Sequence, residues 1–167
     1  MTDPVQSNRQ MTMTLLMTPD MANFSGNVHG GIVLKLLDQV AYVCAARYSG
    51  RYVVTVSVDQ VTFRAPVHVG ELVTFRASVN FTGTTSMEIG VRVEAESIRE
   101  RTFRHVITCY FTMVAVDESG KPKPIPALNL DNDWKRCRFE AAEQRKIARL
   151  QENHHPSCSI YKKSAHS

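Results

Sequence analysis

Hydrophobic residues recur with two different periods along the chain, and these periods predict its elements. Residues 11–18 alternate apolar and polar side chains, which predicts a short strand that Pro19 ends. Residues 30–47 carry Ile, Val, Leu and Ala around most of a helical circumference. They predict one core helix, and Gly50 is suited to stop it.

Beyond the helix, the period of two returns four times. Apolar and polar residues alternate in four segments, 53–67, 70–83, 85–98 and 102–117. Such alternation predicts strands, and their short connections predict an antiparallel meander. A single helix with a wide apolar surface needs a cover over most of its circumference. We therefore expect an α+β fold in which an antiparallel five-stranded sheet wraps around one long central helix.

The C-terminal part of the chain differs from the rest. Residues 121–128 read KPKPIPAL, and their prolines predict an extended linker that cannot be the interior of a helix. Residues 131–155 are rich in charges with apolar positions between them, which predicts an amphipathic C-terminal helix.

Composition and charge narrow the functional classes. The 167 residues are 43% hydrophobic and 22% charged, as in soluble globular domains. No window of about eighteen apolar residues is present, and the N-terminus has no apolar signal core, so we expect a cytoplasmic protein without a membrane span. Residues 1–130 hold twelve Lys and Arg against eleven Asp and Glu, whereas residues 131–167 hold eight against five.

The basic tail has two interpretations. It is either a solvated helix face or a surface that meets phosphate groups, and a regulatory nucleotide is then an open partner. Nucleic-acid binding is not expected, because no basic stripe interleaved with aromatic residues crosses the main domain.

The four cysteines do not indicate a metal site or a disulfide framework. They form no CxxC pair and have no ligand-like spacing to the histidines. Cys44 and Cys109 lie in apolar segments, where we expect them to be small buried hydrophobic residues.

Asp38 is the single carboxylate within the apolar helix. At helical spacing it shares one stripe with Lys35, Gln39 and Tyr42. In one interpretation the stripe faces solvent, and an ion pair between Asp38 and Lys35 stabilises the helix by about 0.3 kcal/mol. In the other, the stripe faces a cleft where water or a reacting group satisfies Asp38. Periodicity leaves both open.

The start of the helix is unusual because Gly30 and Gly31 occupy its first turn. Each glycine costs about 1 kcal/mol relative to alanine. Glycine permits a ligand to approach the unpaired N–H groups of the first turn, which suits a carbonyl oxygen that becomes an oxyanion. The alternative is a plain tight entry turn.

Three segments in order carry a resemblance to a known family. They are ANFSGNVHGGIVLKLLDQVAYVCAARYSG, VDQVTFRAPVHVGELVTF and TGTTSMEIGVRVEAE. Together they resemble the hotdog-fold acyl-CoA thioesterases, in particular the YciA-like branch shared with brain-type cytosolic acyl-CoA hydrolases. The resemblance implies a hotdog thioesterase domain over residues 10–128, followed by a basic C-terminal helix and tail over 129–167.

The resemblance also implies an assembly and a reaction. It implies a homodimer, often three dimers in a hexamer, with active sites across the dimer interface. The reaction is hydrolysis of acyl-CoA to fatty acid and CoA, with no cofactor or metal beyond the CoA of the substrate.

Individual residues follow from the same motifs. Asp38 matches the general base or nucleophile, and Asn23 matches the asparagine that orients water or thioester on the facing subunit. Gly30 or Gly31 would supply the oxyanion-binding N–H group. Contacts to the substrate or its CoA are implied for His29, Gly83, Thr84, Thr85 and Ser86.

Two other classes compete with a hydrolase. A hotdog domain can be a non-catalytic sensor of acyl-CoA or nucleotide, but the presence of both Asp38 and Asn23 favours catalysis. A dehydratase would call for a catalytic histidine paired with an acid and for a different helix entry.

Overall fold

The computed structural model describes residues 8–152, and its elements follow the predicted order. The predicted helical residues 153–155 lie outside the described part. The strands and helices are β1 (Gln10–Leu16), a short 3-10 helix (Pro19–Met21), α1 (Gly30–Ser49), β2 (Tyr52–Val58), β3 (Leu72–Thr82), β4 (Ser86–Ser97), β5 (Thr102–Val116) and α2 (Asp133–Glu152). Gly50 ends α1 with a φ of 63°, in the left-handed conformation that glycine adopts at little cost.

The five strands form one antiparallel sheet in the order β1-β3-β4-β5-β2. Strands β3 to β5 make the predicted meander. The prediction is wrong for β2, which pairs with β5 at the far edge of the sheet rather than with β3.

The segment after β2 explains this difference. The predicted strand over 53–67 ends at Val58. The backbone then continues irregularly along β5, where the N–H groups of Asp59 and Arg64 donate to the carbonyls of Tyr110 and Val106. Because these bonds hold the chain beside β5, it must pass the positions of β5 and β4 before it enters the sheet again as β3.

One face of the sheet packs against α1 and forms the core. The inward side chains of β3, β4 and β5 alternate with outward ones, as their periodicity predicts. Burying each aliphatic side chain contributes about 1.5–3 kcal/mol. Cys44 and Cys109 are fully buried here, as predicted, and burial raises the pKa of both thiols to about 12. The buried residues of α1 are Val33, Leu36, Leu37, Val40, Ala41, Cys44, Ala45, Tyr48 and Ser49.

Helix α2 covers the opposite face of the sheet. Its Ala142 is fully buried, and its Phe139 ring lies 4.8 Å from the ring of Phe81 on β3. The linker before it contains no helix, as its prolines predict, and the N–H of Ile125 donates to the carbonyl of Thr84. Neither helix of the described chain combines the length and hydropathy that a membrane span needs.

Candidate active site

His29 forms the N-cap of α1. Its backbone is extended, and its Nδ1 atom accepts a hydrogen bond of 3.0 Å from the N–H of Gly31. A Cβ atom at residue 31 would lie 3.2 Å from that nitrogen, so glycine lets the imidazole close over the first turn. The cap satisfies one of the N–H groups that a helix start leaves without an intrahelical partner.

This cap distinguishes the two glycines of the helix start. The N–H of Gly31 is already engaged, whereas the N–H of Gly30 has no partner among residues 8–152. Gly30 also lines a cavity of about 210 Å³, together with Asn23 and Phe63. The cavity is otherwise bounded by Asn27, Val28, Val33, Pro66 and Val67. The structure therefore narrows the candidate oxyanion donor to Gly30.

Asn23 lies in the loop that leads into α1. Its side-chain oxygen accepts hydrogen bonds from the N–H groups of Ser25 and Asn27, at 2.9 and 3.2 Å. These bonds fix the loop, as Asx turns do. The side-chain N–H₂ of Asn23 has no partner within the described residues. It is thus a second available donor beside the same cavity.

Asp38 lies two turns further along α1 and is exposed. Its Oδ1 atom accepts a hydrogen bond of 2.7 Å from the hydroxyl of Thr55 on β2. Its Oδ2 atom has no partner among residues 8–152, and no ion pair with Lys35 is formed there. The carboxylate is therefore oriented through one oxygen and open at the other.

Thr55 was not singled out from the sequence. It is brought to Asp38 by the position of β2 beside β5, where a β-bulge shifts the register between Thr55 and Ser57. Bulges bend a strand and redirect the neighbouring side chains. The available signal was a hydroxyl in the valine-rich strand directly after the helix that carries Asp38, a property that Thr55 shares with Tyr52 and Ser57.

Within one chain, the site residues form two separate groups. Asn23 and Gly30 share the cavity at the start of α1, and Asp38 and Thr55 meet near its middle. Along the helix axis, Gly30 and Asp38 are about 12 Å apart at 1.5 Å per residue. One thioester carbonyl cannot contact both groups of the same subunit.

The predicted CoA-contacting residues form the turn between β3 and β4. The N–H of Gly83 donates to the carbonyl of Ser86 at 2.7 Å, which closes the turn. The hydroxyls of Thr84 and Thr85 have no partner in the described chain. Met113 on β5 pairs with Thr55 on one side and with Met87 on the other. Met87, which follows the turn, is therefore two strand spacings, about 10 Å, from Thr55.

Comparisons with known proteins identify the family. The sequence model of the Thioesterase superfamily matches residues 25–102. Protein VdlD of Helicobacter pylori is 48% identical, over 84% of this chain and 80% of that protein. An uncharacterized acyl-CoA thioester hydrolase of Zymomonas mobilis is 35% identical, over 76% of this chain and 85% of that protein.

Solved structures give the same answer. An apo-hexameric acyl-CoA thioesterase superposes with a TM-score of 0.86 at 33% identity, covering 90% of this chain and 97% of that one. The acyl-CoA hydrolase of Staphylococcus aureus, solved with butyryl coenzyme A and coenzyme A, has a TM-score of 0.77 at 28% identity, covering 89% and 93%. The chain therefore belongs to the acyl-CoA thioester hydrolases of the hotdog-fold thioesterase superfamily.

The Staphylococcus aureus enzyme also offers a comparison of spacing. Structures exist of its variants in which one asparagine, one aspartate or one threonine is replaced by alanine. The intervals between those three positions equal the intervals between Asn23, Asp38 and Thr55 here.

Proposed function

We propose that this protein hydrolyses acyl-CoA to a fatty acid and CoA, with Asp38 as the general base. The observation that carries the proposal is the half-engaged carboxylate, which Thr55 orients through Oδ1 while Oδ2 stays open to solvent. Oδ2 takes a proton from water, and the water oxygen bonds to the thioester carbonyl carbon. Direct attack by Asp38 to form an anhydride is the alternative role.

The remaining steps need an oxyanion donor and a leaving group. The N–H of Gly30 donates to the carbonyl oxygen as negative charge develops there, and such a donor contributes about 3 kcal/mol. The tetrahedral intermediate collapses, the C–S bond breaks, and CoA leaves as a thiolate. Because a thiol pKa of about 8.5 makes the thiolate a good leaving group, we expect no metal or cofactor to be needed for its departure, and the proton held by Asp38 passes to the sulfur or to solvent.

The proposed site is shared by two copies of the chain. Asn23 and Gly30 of one subunit would face Asp38 and Thr55 of the other. The two groups, which lie about 12 Å apart along α1 within a subunit, would then meet across the interface. The edge strand β2 supports this pairing, because its Tyr52, Val56 and Val58 are 62%, 61% and 45% exposed. An apolar sheet edge is normally covered. The hexameric thioesterase of the same fold supports a further assembly of three dimers.

Binding of CoA is proposed at the turn between β3 and β4. Its free hydroxyls, at Thr84 and Thr85, can donate to the pantetheine amides or the phosphates. His29 would act on the substrate indirectly, because its imidazole holds the first turn of α1 in place.

Thiol release from a panel of acyl-CoAs tests the reaction. We expect the wild-type protein to release CoA from at least one chain length, and Asp38→Asn to lose most of this activity. Asp20→Asn is the matched control, because Asp20 is exposed and lies outside both groups of site residues. Binding of CoA without thiol release at any chain length would support the sensor instead. Full activity of Asp38→Asn would show that another group is the base.

Mixing two inactive variants tests the shared site. Asp38→Asn and Asn23→Ala chains, unfolded and refolded together, form mixed dimers with one intact site if the two residues act across subunits. Random pairing then restores about a quarter of the wild-type activity. No restoration, with mixed dimers shown by differential tags, would place both residues in a site within one chain.

A further inference from the structure

Glu71, directly before β3, is a buried carboxylate that lies outside both groups of site residues. The residue is 6% exposed. Its Oε1 and Oε2 atoms accept hydrogen bonds from the two terminal nitrogens of Arg104 on β5, at 2.5 and 2.6 Å, and Oε2 also accepts from the N–H of His68. Burial alone would raise the pKa of Glu71, but the hydrogen bonds from Arg104 and His68 hold that pKa below its usual value. The carboxylate therefore stays ionised near neutral pH.

This ion pair holds the short loop of residues 66–68 at both of its ends. The Nη2 atom of Arg104 donates to the carbonyl of Pro66 at 2.7 Å as well as to Glu71. At the other end, Glu71 accepts the N–H of His68 at 2.8 Å. A bidentate arginine–carboxylate pair has a fixed geometry. The pair therefore fixes the position of the loop relative to β5.

The loop in turn pairs with the segment that leads into α1. The N–H of Val28 donates to the carbonyl of Val67 at 2.8 Å, and Asn27 forms an antiparallel bridge with His68. The side chains of Asn27 and His68 also meet, with 2.7 Å between Oδ1 and Nδ1. The N–H of Asn27 donates to the side-chain oxygen of Asn23. A continuous series of hydrogen bonds thus runs from the ion pair to Asn23.

The same loop forms one wall of the cavity at the start of α1. Pro66 and Val67 line this cavity together with Asn23 and Gly30. Val28, which bonds to Val67, lies two residues before Gly30 in the chain. A shift of the loop would therefore move the cavity wall and both candidate donors together.

We propose that the ion pair of Glu71 and Arg104 positions the two candidate donors of the active site by holding residues 66–68 in place. Its importance for catalysis rests on the proposed function, in which Asn23 and Gly30 act on the thioester carbonyl. Neither member of the pair lines the cavity, so both act through the loop. Such an indirect effect can be large, because a misplacement of about 1 Å can cost about 10²-fold in rate.

Glu71→Gln tests the proposal, because glutamine keeps the shape but removes the charge and replaces one acceptor oxygen with a donor. Glu88→Gln is the matched control. Glu88 is also a buried carboxylate whose two oxygens accept from one arginine, but it lies under α2. We expect similar losses of Tm in both variants, whereas only Glu71→Gln should lower kcat, by about 10–100-fold with KM nearly constant. The donors act on charge that develops in the transition state, so their displacement affects kcat first.

Backbone hydrogen exchange gives a measurement that does not depend on catalysis. At a temperature where both variants are folded, Glu71→Gln should speed exchange of the N–H groups of Asn27 and Val28 at least about tenfold. Glu88→Gln should leave both at the wild-type rate. Asn27→Ala removes only the side-chain contact with His68, so it should lower kcat severalfold at a Tm near that of the wild type.

The proposed function and the positioning role fail in different ways. Absence of thiol release from the wild type would overturn the proposed function, while faster exchange in Glu71→Gln would still support the positioning of the loop. With an active wild type, unchanged kcat and unchanged exchange in Glu71→Gln would overturn the positioning role alone. Equal losses of kcat in Glu71→Gln and Glu88→Gln would also overturn it, because a general loss of stability predicts that result.

Discussion

Two carboxylates on opposite sides of the sheet, those of Glu88 and Asp38, have opposite environments. Glu88 on β4 is 2% exposed and accepts hydrogen bonds from Arg145 at both oxygens, at 2.7 and 3.1 Å, with Asn80 as a further donor. Asp38 is exposed and accepts one hydrogen bond, from Thr55. A carboxylate whose oxygens are all engaged joins elements together. A carboxylate left half-engaged is available to take a proton.

The largest expected effect concerns activity at Asp38. Replacement by Asn keeps the shape but removes the base, so we expect kcat to fall by about 10²–10⁴-fold. Because the side chain is exposed, the free energy of unfolding should change by no more than about 0.5 kcal/mol. Urea unfolding and thiol release on the same preparation measure both quantities. A large loss of stability would place Asp38 in the same class as Glu88.

The reverse result is expected at Glu88. Glu88→Ala leaves Arg145, which is 27% exposed, without its counter-ion, and should lower the free energy of unfolding by about 1–3 kcal/mol. The kcat of the folded fraction should be unchanged. Glu94→Ala is the control, since Glu94 pairs with two arginines at the surface, and its loss should cost at most about 1 kcal/mol. Equal losses from both variants would contradict the distinction.

A smaller effect is expected at Thr55, whose hydroxyl donates a hydrogen bond to Asp38. Thr55→Val keeps the volume and removes the hydroxyl, so we expect kcat to fall about tenfold with KM nearly constant. Thr74→Val removes one hydroxyl of the exposed pair that Thr74 on β3 forms with Thr14 on β1, and it serves as the control. Steady-state kinetics measure the difference. A rise in KM alone would indicate that Thr55 binds substrate rather than positions the base.

The smallest effect is expected at the start of α1. His29→Ala removes the acceptor for the N–H of Gly31 and should destabilise the protein by about 1 kcal/mol. His29→Asn supplies another cap oxygen and should recover most of this loss. Thermal unfolding of the three proteins gives the comparison. Equal Tm values for His29→Ala and the wild type would show that the imidazole does not support the helix.

Local periodicity predicted the helix around Asp38 well, because helix and strand spacing are properties of neighbouring residues. It could not predict the contact of Asp38 with Thr55, which depends on β2 pairing with β5 rather than with the strand that follows it. The same limit applies to Glu88. It occupies a position that alternation alone assigns to the solvent side, and its burial follows only when α2 packs on the sheet.

The bulge in β2 limits which strands can pair with this edge of the sheet. An uninterrupted apolar edge would accept any extended segment, and further copies could then add without limit. Here the ladder is broken between Thr55 and Ser57. A symmetry-related β2 carries the same break, and we expect two copies to pair in the one register that aligns their breaks. We expect the irregularity to select a like partner and to protect the exposed valines against open-ended fibre growth.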